Sequence, residues 1–212
     1  MSINFNSLDE ITKAQADFPD VELLIVTKTR TLETIKKLIQ LGYKNFGENR
    51  VQETTQKFPK EIIQENNLTL HLIGPLQTNK VKDALKTFHF IQSLDRIKLV
   101  DAISKELNKD ENTMTKDFFI QINIGQEEQK SGVDIINIES FYEYCLKSKL
   151  NIRGLMCIPP DVHDPSEYFD HMQRIRNKLD KKLKLSMGMS NDYLIAMRHG
   201  SNLIRVGSKI FD

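Results

Sequence analysis

Short apolar runs alternate along the chain with stretches that have the spacing of amphipathic helices. The runs are rich in Leu, Ile and Val, and they have the length of buried parallel strands. They cover residues 21–27, 44–47, 69–74, 89–93, 118–124, 152–158, 183–188 and 203–206. Because strand and helix alternate eight times, the pattern predicts an α/β fold, a closed TIM-like (β/α)8 barrel rather than an open sheet.

The helical stretches between the runs repeat apolar residues at helical spacing, so that one face is apolar. The clearest sets are Leu32/Ile35/Ile39, Val100/Ile103/Leu107 and Tyr168/Met172/Ile175/Leu179. A weaker set, Leu8/Ile11/Ala14, predicts a leading helix before the first strand. Gly42 and Gly200 come just after the first and last helical stretches, where glycine often ends a helix.

Composition narrows the class of protein. The 212 residues suit a single domain, 1–212, near the lower size limit of a barrel. Lys and Arg total 30 against 29 for Asp and Glu, so the net charge of +1 gives no global attraction to nucleic acid or membrane. The chain has no signal-like start and no bilayer-length apolar run, which predicts a cytoplasmic protein. Cys145 and Cys157 lack C-x-x-C spacing and are expected to be reduced core residues.

Polar residues follow the seventh and eighth predicted strands, and in a barrel the strand ends meet at one mouth. Ser190 precedes the helical stretch 193–199, so we expect it to be the helix N-cap. Gly207 and Ser208 add a backbone that an anion can approach closely and a hydroxyl donor. Loops after strands seven and eight commonly hold phosphate in barrels, and this pattern therefore predicts a phosphate site.

Lys28 stands at the carboxyl end of the first predicted strand, facing the same mouth. A strand-end lysine is usually a solvated surface residue. Beside a bound phosphate, in a mouth that excludes water, a lysine loses its proton more easily and attacks an aldehyde to form an imine. Arg205, near the end of strand eight, is expected to face the aromatic nitrogen of such a ligand and keep it unprotonated, which weakens the ring as an electron sink.

Several segments together resemble the pyridoxal phosphate homeostasis protein family, whose members are single-barrel relatives of the amino-terminal domain of alanine racemase. The similar segments are 26–29, 46–52, 71–80, 122–125, 130–132, 153–156, 185–192 and 204–211. The resemblance implies that pyridoxal 5′-phosphate (PLP) is held as a Schiff base on Lys28. It also implies phosphate contacts from Ser190, Gly207 and Ser208, with Arg205 near the ring nitrogen. Asn49 and Met187 are implied to line the pocket, and Ser208 stands where the family usually has threonine.

The resemblance further implies a protein that holds, buffers and delivers PLP, with PLP-dependent apoenzymes as recipients and without established catalysis. Racemisation needs a proton donor and acceptor on opposite faces of the imine, and Lys28 supplies only one. A racemase or other PLP enzyme stays open as the alternative, with Tyr43 or His71 as the second base. A second alternative is an imine formed directly between Lys28 and a phosphorylated sugar without a cofactor. A monomer is expected.

The remaining polar residues have simpler interpretations. His163 and His171 have a spacing that fits no common metal site, so no metal is expected. Lys80 and Lys130 lie in family-like loops near the predicted mouth, and either is a candidate second attachment point for the aldehyde.

Overall fold

The computed structural model describes residues 2–110 and 112–211 and forms a closed barrel in which the strands follow one another in chain order. Met1 and Asp212, the ends of the predicted domain, lie outside the described residues. All neighbouring strands are parallel, which confirms the predicted barrel. The strands are β1 (Glu22–Val26), β2 (Asn45–Glu48), β3 (Thr69–Leu72), β4 (Phe90–Leu94), β5 (Asp117–Ile122), β6 (Ile152–Cys157), β7 (Lys184–Ser186) and β8 (Leu203–Val206).

Helices lie on the outside of the barrel, and each buries at least one apolar residue. They are α1 (Phe5–Ala16), α2 (Leu32–Gln40), α3 (Val51–Lys57), α4 (Lys60–Glu65), α5 (Val81–Thr87), α6 (Ile97–Leu107), α7 (Ile138–Lys147), α8 (Ser166–Leu179) and α9 (Tyr193–Arg198). Two short 3-10 helices, Thr78–Lys80 and Ile135–Asn137, precede α5 and α7. Gly42 and Gly200 follow α2 and α9 with positive φ angles, as the sequence predicts. No helix in the described part of the chain is long and apolar enough to cross a bilayer.

The leading helix α1 is confirmed, and the residues just before it contact the other end of the described chain. Asn4 caps it by accepting a hydrogen bond from the Ser7 amide at 3.0 Å. Ile3 forms an antiparallel bridge with Phe211, and the Asn4 amide donates to the Ile210 carbonyl at 2.8 Å. Because α1 buries Leu8 and Ile11 in the core, this helix packs against the barrel.

Strand β7 is shorter than predicted because the chain turns at its end. The predicted run 183–188 is a strand only over Lys184–Ser186. Gly188 has a φ of +95°, a conformation that glycine adopts without strain and that ends an extended strand. The turn leads residues 189–192 over the mouth of the barrel.

Large apolar side chains fill the space between sheet and helices. Phe46, Phe88 and Phe169 are among the fully buried residues, and burial of one such side chain contributes about 1.5–3 kcal/mol. Cys145 and Cys157 are free and buried, as predicted. Burial raises the pKa of each thiol to about 12, so neither is a thiolate at neutral pH.

Candidate functional site

A cavity of about 770 Å³ opens at the carboxyl ends of the strands, where the predicted site residues meet. Loops 158–163 and 189–192 form much of its wall. Six of the seven predicted cofactor-binding residues line it: Lys28, Asn49, Ser190, Arg205, Gly207 and Ser208. The sequence therefore identified one shared cavity from segments that are far apart in the chain.

Met187, the seventh predicted residue, is placed differently. Its side chain is fully buried in the core, and the wall of the cavity includes Met189 instead. Met187 continues from β7, its amide donating to the Leu203 carbonyl at 3.1 Å, and the chain turns only afterwards. The structure thus assigns Met189, not Met187, to the cavity wall.

Lys28 lies just beyond β1 and is exposed at the cavity, while the backbone on either side of it is held. The buried Thr27 hydroxyl donates to Glu48 Oε1 at 2.6 Å. On the other side, the Thr29 amide donates to Glu53 Oε1 at 3.1 Å, with Thr29 at a φ of +62°. These contacts fix where the Lys28 side chain leaves the barrel.

A buried ion pair lies beneath this segment, and sequence reasoning missed it. Lys57 Nζ lies 2.8 Å from Glu48 Oε1 and donates to the Thr27 carbonyl at 2.9 Å. Among the described residues, Glu48 Oε2 is a buried atom without a hydrogen-bond partner. Burial raises the pKa of Glu48, although the Lys57 and Thr27 hydrogen bonds act in the opposite direction. The pair therefore holds Thr27, the residue before Lys28, in place, although burying the two charged groups costs desolvation energy.

The predicted anion-binding loops meet, but Ser190 is not a helix N-cap. Asp192 occupies the N-cap position of α9, two residues after Ser190, and its Oδ1 accepts from the Met189 amide at 2.5 Å. Ser190 Oγ instead accepts from the Ser208 hydroxyl at 2.9 Å and from the Lys209 amide at 3.3 Å. The loop after β7 and the loop after β8 are thus joined through two serine hydroxyls.

Gly207 allows β1 and β8 to approach closely beside these hydroxyls. A Cβ at this position would lie 3.1 Å from both the Cβ and the carbonyl oxygen of Val26. A larger residue would push the two strand ends apart. The hydroxyls of Ser190 and Ser208 beside a bare backbone suit an oxyanion ligand such as phosphate, since hydroxyls and main-chain amides are common phosphate donors.

Arg205 is buried at the floor of the cavity and is held by two hydrogen bonds. Its Nη1 donates to Ser186 Oγ at 2.8 Å, and its Nη2 donates to the Cys157 carbonyl at 2.7 Å. The residue is 4% exposed, so the guanidinium acts in surroundings with little water. A fixed cation lies there, in the same cavity as Lys28.

The candidate second bases are not brought to this cavity. His71 lines a separate cavity of about 240 Å³ with Glu22 and Asn45 at the opposite end of the barrel. Tyr43, the other candidate base, is not part of the wall of the larger cavity. Lys80, a candidate second attachment point for the aldehyde, is not part of that wall either.

Lys130, by contrast, does line the larger cavity, and its Nζ donates to the Pro159 carbonyl at 3.1 Å. The sequence did not predict that His163, considered only as a metal ligand, and Asp161 share that wall; both come from a loop without periodic pattern. Within residues 2–110 and 112–211, no group of three His, Cys, Asp or Glu side chains is placed to hold a metal ion.

Similarity to curated proteins is strong and extends over most of the chain. The chain is 38% identical over 199 residues to the pyridoxal phosphate homeostasis protein of Aquifex aeolicus, covering 90% of this chain and 86% of that protein. It is 36% identical over 207 residues to the protein of the same name from Haemophilus influenzae, with 90% and 84% covered. No family model matches the chain.

Solved structures also match nearly the whole chain. PipY of Synechococcus elongatus with PLP bound matches with a TM-score of 0.80 and 28% identity, covering 95% of this chain and all of PipY at 100%. Alanine racemase of Acinetobacter baumannii matches with a TM-score of 0.76 but 14% identity, covering 99% of this chain and 62% of the racemase. The second match shows a shared fold alone.

Proposed function

The chain belongs to the pyridoxal phosphate homeostasis protein family, and on that premise we propose that it binds PLP in the large cavity and takes part in PLP homeostasis. PLP combines an aldehyde, a phosphate and a pyridine ring. The observation that carries the proposal is that Lys28, the Ser190–Ser208 hydroxyl pair and Arg205 line one cavity. Each group suits a different part of that cofactor.

Lys28 is proposed to hold the aldehyde as a Schiff base. Bound PLP supplies an electrophilic aldehyde and a ring that withdraws electrons. The lysine amine is the group in proteins that condenses with such an aldehyde. Support comes from the position of Lys28 at the cavity and from the Thr27 and Thr29 contacts that fix its backbone. An anchored backbone reduces the conformational entropy lost when the side chain is tethered.

The phosphate is proposed to lie against Ser190, Gly207 and Ser208. The two hydroxyls already contact each other at 2.9 Å, and each can turn its hydrogen toward an anion. Hydrogen bonds to a charged group stabilise by about 1.5–3 kcal/mol each. A phosphate held at this side of the cavity leaves the ring to reach toward Arg205.

The ring nitrogen is proposed to lie near Arg205, with Asn49 on the cavity wall beside the ring. A permanently charged guanidinium disfavours protonation of the nitrogen and so weakens the ring as an electron sink. Met187 is not proposed to contact the cofactor, because its side chain is buried in the core and does not line the cavity.

Holding PLP is better supported than racemisation. Racemisation needs a second base on the far face of the cofactor. His71 lies at the other end of the barrel, and Tyr43 is not part of the wall described for this cavity. A direct imine with a sugar phosphate would use the same residues, but the family and the PLP-bound relative favour the cofactor.

We also propose the wider role that family membership suggests. The protein acts in the cytoplasm as a single PLP-binding domain, and PLP-dependent apoenzymes receive the cofactor from it. A monomer is sufficient, since Lys28, Ser190, Arg205 and Ser208 all come from one chain. Nucleic acid and membranes are not proposed as partners, in line with a net charge of +1.

The test is an absorption spectrum and intact mass of the protein incubated with PLP, before and after borohydride. We expect wild type to show an imine band and to gain a borohydride-fixed mass equal to one reduced cofactor. Lys28→Ala should lose both. Lys80→Ala is the matched control, since that lysine is outside the described cavity wall, and it should behave as wild type. Wild type that stays colourless and unmodified in excess PLP would refute the proposal.

A further inference from the structure

A continuous chain of hydrogen bonds crosses the inside of the barrel and begins at Arg205. Arg205 Nη1 donates to Ser186 Oγ at 2.8 Å, and the Ser186 hydroxyl donates to Gln92 Oε1 at 2.6 Å. Gln92 Nε2 lies 2.8 Å from His71 Nδ1. Because Arg205 lines the large cavity and His71 the small one, the chain spans the two ends of the barrel.

The directions of these bonds follow from the Arg205 guanidinium together with the orientation of the Gln92 amide, whose Oε1 faces Ser186 and whose Nε2 faces His71. A guanidinium only donates, so Ser186 Oγ must accept from it and has its own hydrogen free for Gln92. The carbonyl end of the Gln92 amide accepts that hydrogen, which turns its NH2 end toward His71. His71 Nδ1 must then accept, and its ring proton is on Nε2.

The surroundings keep His71 in the form that the chain requires. Burial lowers the pKa of His71 to about 3, with smaller contributions from His89 and Lys184. The ring stacks on Phe90 with centroids 4.5 Å apart. A neutral, immobile imidazole provides the lone pair for Gln92, whereas a protonated ring would have none on Nδ1.

The members have almost no access to water that might replace a lost partner. Ser186 and Gln92 are fully buried, and Arg205 and His71 are each 4% exposed. Buried polar networks of this kind rigidify when every member is satisfied. A second bond, from Arg205 Nη2 to the Cys157 carbonyl, holds the other side of the guanidinium. Two anchored nitrogens fix the plane of the guanidinium.

We propose that Ser186, Gln92 and His71 are positioning residues that hold Arg205 in one orientation toward the ring nitrogen of PLP. The inference rests on the proposed function and deepens it. The three residues do not bind the cofactor themselves. Their role is to keep the Arg205 N–H donors directed at one place, so that the ring nitrogen meets a fixed charge rather than a mobile one.

The test is nitrogen NMR of the whole protein, first without ligand and then with PLP labelled with 15N at the ring. Without ligand, we expect wild type to show His71 as a neutral ring with its proton on Nε2. With PLP, we expect one ring-nitrogen signal in wild type. Gln92→Leu and His71→Leu should shift or broaden that signal and weaken PLP binding about fivefold, the effect of one hydrogen bond.

Two further variants separate positioning from general damage. His71→Asn retains an acceptor near the position of Nδ1 and should restore the wild-type signal. Thr115→Val removes a different buried hydroxyl, one that donates to the Phe88 carbonyl at 2.6 Å, and should leave the signal unchanged. Ser186→Ala, a smaller change than Gln92→Leu, tests the same link if the leucine variant does not fold.

The outcomes distinguish the inference from the function on which it rests. Wild type that takes up no PLP overturns the proposed function, and the inference with it, whatever the state of His71. Wild type that binds PLP while Ser186→Ala, Gln92→Leu and His71→Leu keep its ring-nitrogen signal overturns the inference alone. Equal shifts in His71→Asn and Thr115→Val would also overturn it, because they would indicate a general loss of packing.

Discussion

Removal of the buried Lys57 should destabilise the protein strongly. Lys57 Nζ lies 2.8 Å from Glu48 Oε1, and the two side chains are 7% and 0% exposed. At an effective dielectric constant of about 20, Coulomb's law gives an attraction of roughly 6 kcal/mol for this separation. Lys57→Met removes that attraction and leaves a buried carboxylate. Protonation of Glu48 offsets part of the loss, so we expect the free energy of unfolding to fall by about 3–5 kcal/mol.

The loss should depend on pH in a defined direction. The folded-state pKa of Glu48 is already raised by burial above its ordinary value of 4.5, and removal of Lys57 raises it further. A group whose folded-state pKa is raised holds its proton more tightly in the folded protein. Its contribution to stability therefore falls as pH rises above the ordinary value. The loss of unfolding free energy caused by Lys57→Met should be larger at pH 7.5 than at pH 5.

Urea unfolding at both pH values measures the change in the free energy of unfolding. In a thermal scan at neutral pH, the melting temperature should fall by roughly 6–20 °C. Lys13→Met is the matched control, because Lys13 pairs with Asp9 at 2.6 Å while both side chains are largely exposed, at 75% and 62%. It should cost less than about 1 kcal/mol. If Lys57→Met lowered the free energy of unfolding by less than about 1 kcal/mol, or by the same amount at both pH values, the reasoning would be refuted.

Three other changes test separate parts of the structure. Iodoacetamide at pH 8 should leave Cys145 and Cys157 unmodified in the native protein and modify both after denaturation, as followed by intact mass, because burial raises the pKa of each to about 12. Gly154→Ala should lower the free energy of unfolding by about 1–3 kcal/mol, since its Cβ would overlap the Lys184 carbonyl oxygen; an unchanged urea midpoint would contradict this. Ser208→Ala should weaken PLP binding about tenfold in a spectroscopic titration, whereas Ser208→Thr should bind as wild type. A Ser208→Ala variant that binds PLP as tightly as wild type would argue against the phosphate contact.

The barrel was predictable because each strand and helix carries its own periodic pattern. The predicted run 203–206 coincides with β8, and the predicted run 44–47 is displaced by one residue from β2. Lys28 and Arg205 were found for a similar reason, since polar residues at strand ends converge in any parallel barrel.

The parts that sequence reasoning missed depend on contacts between elements. Nothing in the pattern of α3 marks Lys57 as the partner of Glu48, because an amphipathic helix has many lysines that reach solvent. The interpretation of Met187 as a wall residue was wrong because the turn at Gly188, invisible to periodicity, decides which methionine faces the cavity. The prediction that Ser190 is a helix N-cap was also wrong, because α9 begins at Tyr193 and Asp192 takes the N-cap position.

The pairing of β1 with β8 has a consequence for synthesis of the protein. Glu22 pairs with Leu203, a partner that the ribosome adds about 180 residues later, or roughly 10–35 s later at 5–20 residues per second. Until then the β1 edge that will meet β8 has no native partner, and an open strand edge is a template for wrong pairing. The nascent chain therefore passes through a period of aggregation risk that ends only when the last strand emerges and the barrel closes.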